Sequence, residues 1–419
     1  MDYLIKESTL TGIADAIREK TGGTGNLTTE GIKTGIGEVY DKGFADGKAQ
    51  GGGGGGSTTA VPMKDVNFYD YDGTRLYSYT VAEAQALSEL PPLPTREGLI
   101  CQGWNYDLDT IKAYNRAVDV GATYITDDGK TRLYITIAAE GRMDVPLRFS
   151  QTVENGVTID WGDGSATQTL SGTGSVTTTH TYACSGDYVI SFSVADGCAL
   201  GLGYNAPGSC VMGGTAVGEL VYCNMLRRVE IGNGIKTIDR YAFHYCCSLR
   251  SVVIPNSVTS IGIGAFNYCH SIASVVIPNG VTRIDDGMCN YCYALISVIM
   301  PNSVTSIVRN AFYYCYALAN VVIPKGVTSI GNYAFEGCRS LVSVVMPKSV
   351  SLSSSLVFSN CAAVAFYDFT AYTSIPTLSN TSVFSGIPSD CEIRVPAALY
   401  DEWIAATNWS TYASKIVAV

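Results

Sequence analysis

The sequence predicts a multi-domain, mainly β chain whose C-terminal half is a solenoid, and three observations carry that prediction. A 23-residue step recurs from residue 223 onward, a separate stretch reads as short alternating strands, and helical patterning is confined to short pieces. At 419 residues the chain is too long for one ordinary core. Hydrophobic residues make up 47% and charged residues 15%, enough apolar surface to fold and too little charge for a disordered chain.

Residues 1–50 form the first segment. Leu10, Ile13, Ala14 and Ile17 lie on one face of a helix ending near Gly22, and a second pattern runs from Thr28 or Thr29 through Ile32, Ile36, Val39 and Tyr40. Short helices owe their stability to packing, so this segment is expected to attach to a partner or to copies of itself. Residues 51–60 are a linker, because Gly51 to Gly56 behaves as coil, natural or engineered.

Residues 61–129 read as a small α+β module. Val66 to Tyr69 is a strand, Asp72-Gly73 a turn and Leu76 to Tyr79 the return. Thr80 and Glu83 have capping-box spacing and open a helix expected to reach residue 90, ahead of Pro91-Pro92; a second helix is expected over 108–118.

Residues 130–198 read as a β-sandwich with strands at 132–138, 145–149, 156–161 and 187–194. At its centre lies Asp160-Trp161-Gly162-Asp163-Gly164-Ser165, followed by His180-Thr181-Tyr182 and Gly186-Asp187-Tyr188. This constellation resembles the PKD-like β-sandwich, whose hallmark is a W-G-D-G-S turn with a later H-x-Y and G-x-Y. Modules of that family act as spacers.

Residues 199–366 carry the repeat. Ile254-Pro255, Ile277-Pro278, Met300-Pro301, Ile323-Pro324 and Met346-Pro347 are 23 residues apart, and the same step places cysteine at 223, 246, 269, 292, 315, 338 and 361. Columns of Leu or Ile (226 to 341), of Phe (243 to 358, broken by Cys289), of Val (258 to 327) and of Ile (238 to 330) keep that step. One coil cannot close a core, whereas stacked coils bury like on like and pair their strands in parallel. The consensus V-V-I-P-x-x-V-T-x-I-x-x-x-A-F-x-x-C-x-x-L resembles the BspA-like leucine-rich repeat of bacterial surface antigens and gut-phage tail proteins. The fold class expected is therefore short N-terminal helices, an α+β module, a PKD-like sandwich and a leucine-rich-repeat solenoid. Residues 367–419, with Leu399, Trp403 and Ile404 at helical spacing, are its C-terminal cap.

A net charge of −10 opposes nucleic-acid binding, which needs clustered Lys and Arg. No run of eighteen apolar residues exists, and the N-terminus lacks the basic and apolar regions of a signal peptide, so synthesis in the cytoplasm without membrane insertion is expected. His180, His244 and His270 are the whole histidine supply, and none accompanies a nucleophile-elbow motif, so no catalytic residue and no cofactor is expected. Asp160 and Asp163 are read as turn residues. A 23-residue spacing sets the cysteines one per coil and Cys289 to Cys292 has no second pair, so no metal site and no disulfide is expected.

Among the residues that vary inside the strict frame, which also include Arg240, Cys247, Ile263, Asp286, Arg309 and Asn332, the candidate binding residues are Tyr241, His244, Asn267, His270, Asn290, Tyr293, Asn310, Tyr313, Tyr316, Tyr333, Glu336 and Arg339, beside a constant column of Tyr245, Tyr268, Tyr291 and Tyr314. One reading is a solvated helical or 3₁₀ edge. The other is a receptor-binding ridge, since tyrosine, histidine, asparagine and arginine on a rigid frame give large amphipathic contact at low entropy cost. Their narrow alphabet resembles the output of diversity-generating retroelements, with Glu336 as a departure. The run T-L-T-G-I-A-D-A-I-R-E-K-T-G, residues 9–22, resembles the N-terminus of Firmicutes-prophage tail proteins. That resemblance implies a tail-tip receptor-binding protein on the virion, docked to the tail or baseplate through its N-terminus as a homotrimer and binding a host cell-surface glycan or protein. The alternative is a bacterial surface adhesin carrying the same repeats.

Overall fold

The computed structural model describes residues 66–70, 75–106, 108–113, 118–126, 128–139, 141–203, 209–214 and 220–419. The N-terminal segment, the glycine linker and the Asp72-Gly73 turn lie outside the described residues. Among those described, no helix is long and apolar enough to cross a membrane. The described residues divide into two compact units, those within 66–86 with 118–121, and those within 87–113 with 122–419.

In the first unit, strand Val66–Tyr69 pairs antiparallel with Arg75–Tyr79 and parallel with residues 118–121. Phe68 is fully buried and meets Tyr77 and Tyr79 edge-on at 6.3 and 5.8 Å. The capping box forms as the spacing requires: the Glu83 N–H donates to Thr80 Oγ1 at 3.2 Å and the Thr80 N–H donates to Glu83 Oε2 at 2.8 Å. The helix runs only over Val81–Gln85, short of the expected residue 90, because Ala84 is its one buried side chain and no apolar stripe rewards further turns.

In the second unit, strand Leu99–Trp104 pairs antiparallel with residues 122–126. The helix expected over 108–118 spans Leu108–Ala113, and Val118 instead opens strand Val118–Thr126, whose Val, Thr, Tyr and Ile content favours extended backbone. Two sheets follow. One runs edge to edge through Gln168–Leu170, Val157–Asp160, Gly186–Val194, Thr131–Ile137, Leu226–Glu230 and Ser251–Val253. The other runs through Gly174–Thr181, Asp144–Gln151, Leu200–Leu202, Ile235–Ile238 and Ser260–Ile261. The last strands of both sheets belong to the 23-residue repeat, so sandwich and solenoid share their sheets and one apolar core extending from Leu133 to Ile416.

The tryptophan turn is tied as its residue types suggest. Asp160 and Asp163 each accept a backbone N–H, from Gly162 and Ser165, at 3.0 Å. The buried Tyr182 hydroxyl donates to the Trp161 carbonyl at 2.8 Å, and His180 stacks on Trp161 while bonding Asp163 at 2.7 Å. The Ser165 and His180 bonds hold the Asp163 carboxyl well below the usual carboxylate range.

From the first full coil onward the chain repeats one wrap. Short strands Ser274–Val276, Ser297–Ile299, Asn320–Val321 and Ser343–Val345 stack in parallel, and a second stack joins Arg283–Ile284, Ser306–Ile307 and Ser329–Ile330. Inside, Phe243 stacks on Phe266 at 5.4 Å, and Phe312, Phe335 and Phe358 follow at 5.3 and 5.4 Å. The cysteines at 223, 246, 269, 292, 315, 338 and 361 are all fully buried and free. Past residue 366 the sheet does not stop, since Phe366–Asp368, Glu392–Val395 and Ile416–Ala418 add three further parallel strands. Helix Tyr400–Ala405 and 3₁₀ helix Trp409–Lys415 close the last coil, with Trp403 and Trp409 buried against Phe369 at 5.7 and 5.4 Å.

Burial pushes the thiols of Cys269, Cys292, Cys315 and Cys338 well above their usual value and that of Cys361 up to about 12. Thiolate is the reactive form, so burial and acidity act together. In native protein at pH 8, a thiol reagent is expected to label the exposed Cys184 quickly and these five only after denaturation. Rapid labelling of most of the five in folded protein would contradict the register.

Candidate functional site

The segment between the two strand stacks is not the helical or 3₁₀ edge that was one reading of the sequence; it is a run of turns with two left-handed residues per coil. One left-handed column holds Tyr241, Gly264, Gly287, Asn310, Tyr333 and Leu356, and the other Tyr245, Tyr268, Tyr291, Tyr314, Gly337 and Asn360, all with φ between 55° and 72°. Outside glycine and asparagine this conformation costs about 1–2 kcal/mol per residue. What it gains is a backbone ladder. The N–H groups of Tyr241, Phe243 and Tyr245 donate to the carbonyls of Ile263, Ala265 and Asn267 in the next coil at 2.8–3.0 Å, and the pattern repeats along the stack. Every second amide therefore points along the solenoid axis, which a helix would forbid.

This ladder holds the side chains of the ridge in three columns. The central one is the constant tyrosine series, stacked at 4.5 Å from Tyr245 to Tyr268, 4.7 Å to Tyr291 and 5.6 Å to Tyr314. On one side His270, Tyr293 and Tyr316 stack at 4.7 and 5.0 Å, and the Arg339 guanidinium lies over the Tyr316 ring at 4.6 Å. On the other side stand His244, Asn267, Asn290, Tyr313 and Glu336, with His244 stacked on Tyr245 at 4.3 Å and Tyr313 edge-on to Tyr314 at 4.2 Å. Tyr241, Asn310 and Tyr333 come from the first left-handed column and flank this third series. All twelve candidate residues thus fall on one ridge, half-buried except for the exposed Tyr333 and Arg339. An ion pair from Asp286 to Arg309 at 2.8 Å crosses adjacent coils beside them.

Two features were not legible beforehand. Asn290, Asn310, Tyr313 and Tyr333 line a recess of about 220 Å³. Both ring nitrogens of His244, Nε2 of His270, and Oδ1 of Asn267 and Asn290 are buried without a hydrogen-bond partner in the protein, an arrangement that buried water would satisfy. Burial also lowers the histidine pKa values, so both rings are neutral at neutral pH and can accept as well as donate. Asp160, Asp163 and His180 stay with the sandwich turn.

The expectation that the cysteines gather nowhere fails at one place. Cys210, outside the 23-residue series, brings its sulfur to those of Cys223 and Cys246, all within 4.8 Å of one another.

Residues 216–319 and 305–400 match the model of the BspA type leucine rich repeat region, in six copies, and these residues are BspA-type leucine-rich repeats. The match runs past the expected end of the solenoid at residue 366. No curated protein matches the chain. Among solved structures, a leucine-rich-repeat protein of T. pallidum is similar at 29% identity, covering 34% of this chain and 69% of that one, with a TM-score of 0.33. A leucine-rich cell surface protein of Faecalibacterium prausnitzii A2-165 is similar at 28% identity, with 42% and 68% covered and a TM-score of 0.25. A leucine-rich-repeat protein of Bacteroides ovatus ATCC 8483 is similar at 18% identity, with 52% and 61% covered and a TM-score of 0.29.

The ridge carries its own test. Gly264 and Gly287 occupy the same left-handed column, but a Cβ on Gly264 would lie 2.6 Å from the Tyr241 ring, whereas one on Gly287 meets nothing nearer than Asn290 at 3.6 Å. Gly287→Ala is expected to cost about 1 kcal/mol, the conformational strain alone, and Gly264→Ala about 2 kcal/mol or more. Adding Tyr241→Ala to Gly264→Ala should recover part of that difference in urea denaturation. Equal costs for the two alanines would mean that the ridge rings are not packed as described.

Proposed function

We propose that this chain is the receptor-binding protein of a phage or prophage tail and that the ridge recognises a host cell-surface glycan or protein. The observation that carries the reading is that the buried columns repeat every 23 residues, while the aromatic and polar side chains of the ridge they hold differ from coil to coil. Aromatic and polar variation carried on a rigid frame fits recognition. The recess lined by Asn290, Asn310, Tyr313 and Tyr333 has the make-up of a sugar subsite, with flat rings for the apolar ring face beside amide groups. The matching family model describes a repeat and not a catalytic domain, in keeping with a binding role.

In this reading the PKD-like sandwich is a spacer that continues directly into the solenoid, and residues 1–50 attach the chain to the tail or baseplate as a homotrimer. The virion tail tip is then its place of action. A bacterial surface adhesin would use the same ridge, and the BspA-type repeats agree with either setting.

The variant to make replaces Tyr293, Tyr313, Tyr316 and Tyr333 with Ser. None belongs to the buried Phe, Leu or Cys columns, so circular dichroism should report an unchanged fold. Adsorption of the purified chain to host cells is expected to fall at least about thirty-fold, the equivalent of one aromatic hot spot of about 2 kcal/mol. Undiminished adsorption by a folded variant would move the site to the strand face or the C-terminal end.

A further inference from the structure

Three thiols meet where the two shared sheets pass into the first full coil. Cys223 ends the short helix Leu220–Cys223, Cys246 belongs to the first complete ridge, and Cys210 sits on a small hairpin of Ser209–Cys210 against Gly213–Gly214. That hairpin is pinned on both sides: the Val211 N–H donates to the Ala242 carbonyl at 2.7 Å, and the Val211 carbonyl accepts the Arg148 N–H at 2.9 Å. Cys210, Cys223 and Cys246 are all fully buried.

Elsewhere in the column each thiol has a different occupation. The sulfurs of Cys269, Cys292, Cys315, Cys338 and Cys361 donate to the carbonyls of Phe243, Phe266, Cys289, Phe312 and Phe335 at 3.1–3.4 Å. Cys246 departs from that habit and lies 3.5 Å from the sulfur of Cys210. Cys210 in turn accepts the Met212 N–H at 3.5 Å, a bond from two residues on that favours sulfur carrying negative charge.

Three soft ligands with no carboxylate among them select a thiophilic ion. Structural zinc takes four ligands, and three do not complete that set. A metal–sulfur bond of about 2.3 Å places three sulfurs around one ion in a plane about 4.0 Å apart. The observed separations, from 3.5 Å for one pair to a limit of 4.8 Å for all, bracket that value. We propose that Cys210, Cys223 and Cys246 form a three-sulfur site for a soft monovalent ion of the copper(I) class, which staples the sandwich sheets to the first coil. Each thiol that becomes a thiolate ligand releases one proton to solvent, and no electron is transferred because the ion enters as copper(I).

The test uses the full chain, reduced and kept free of oxygen, with copper(I) supplied from a coloured copper(I) chelator. One equivalent should pass from chelator to protein, with a thiolate-to-copper absorption in the near ultraviolet and a higher melting temperature. Cys210→Ser should weaken uptake at least tenfold, whereas Cys338→Ser, in the same column but away from the cluster, should leave it unchanged. X-ray absorption at the copper edge of the unmutated protein should show three sulfur neighbours, a readout independent of how the variants fold. Failure to draw copper from the chelator overturns the proposal. So does uptake indifferent to Cys210→Ser, preferential uptake of zinc(II) with a fourth ligand, or a disulfide at Cys210 that persists in reductant.

Discussion

Everything in the C-terminal unit depends on the fact that a 23-residue coil has no core of its own. Its Phe, Leu, Val, Ile and Cys side chains are buried only because the coil above and the coil below present the same side chains at the same height. Backbone hydrogen bonds enforce that register on three sides, through two stacks of short parallel strands and the amide ladder of the ridge. The ladder is the costliest of the three, because it holds two left-handed residues per coil and at least one of them is a tyrosine in each coil from Tyr241 to Tyr333. Stacking of the constant tyrosines, at about 0.5–1.5 kcal/mol per pair, offsets that strain and couples each coil to the next.

A stack of this kind needs ends, and the two are built differently. At the start, the strands of the repeat join two sheets that already enclose Trp161, Phe149 and Phe192, so the first coil meets a finished apolar surface. At the finish, three more parallel strands carry the sheet onward, and Trp403, Trp409 and Tyr412 fill the space that a following coil would have occupied. Both ends convert an open stack into a closed core, and the ridge between them is left with no structural task beyond its own ladder.

The repeat was legible because its signal is redundant: each column states the 23-residue step again, and any one of Pro255, Cys269 or Leu295 would reveal it. Membership of the ridge followed from the same arithmetic. Its backbone did not, because tyrosine is an uncommon left-handed residue and the series from Tyr245 to Tyr314 reads as an aromatic face before it reads as a turn. Glycine at 337 and asparagine at 360 were the available clue, since they share the column of those tyrosines, as Gly264, Gly287 and Asn310 share the other with Tyr241 and Tyr333. The thiol cluster was hidden for a different reason. Periodicity accounts for Cys223 and Cys246 as packing residues, and Cys210 approaches them only through a hairpin that no repeat announces. Continuity of the sandwich with the solenoid escaped likewise, because sheet partners as far apart in sequence as Arg132 and Glu230 leave no local pattern.

The central claim is that the ridge, and not the strand face or the ends, meets the receptor. Hydroxyl-radical footprinting of the full chain, alone and bound to host cell envelope, tests it side chain by side chain. Protection is predicted at Tyr293, Tyr313, Tyr316 and Tyr333, with Tyr77, Tyr79 and Tyr400 unchanged. Unaltered oxidation along the ridge, together with protection of the exposed residues Ile296, Val342 and Val345 on the strand side, would contradict the account.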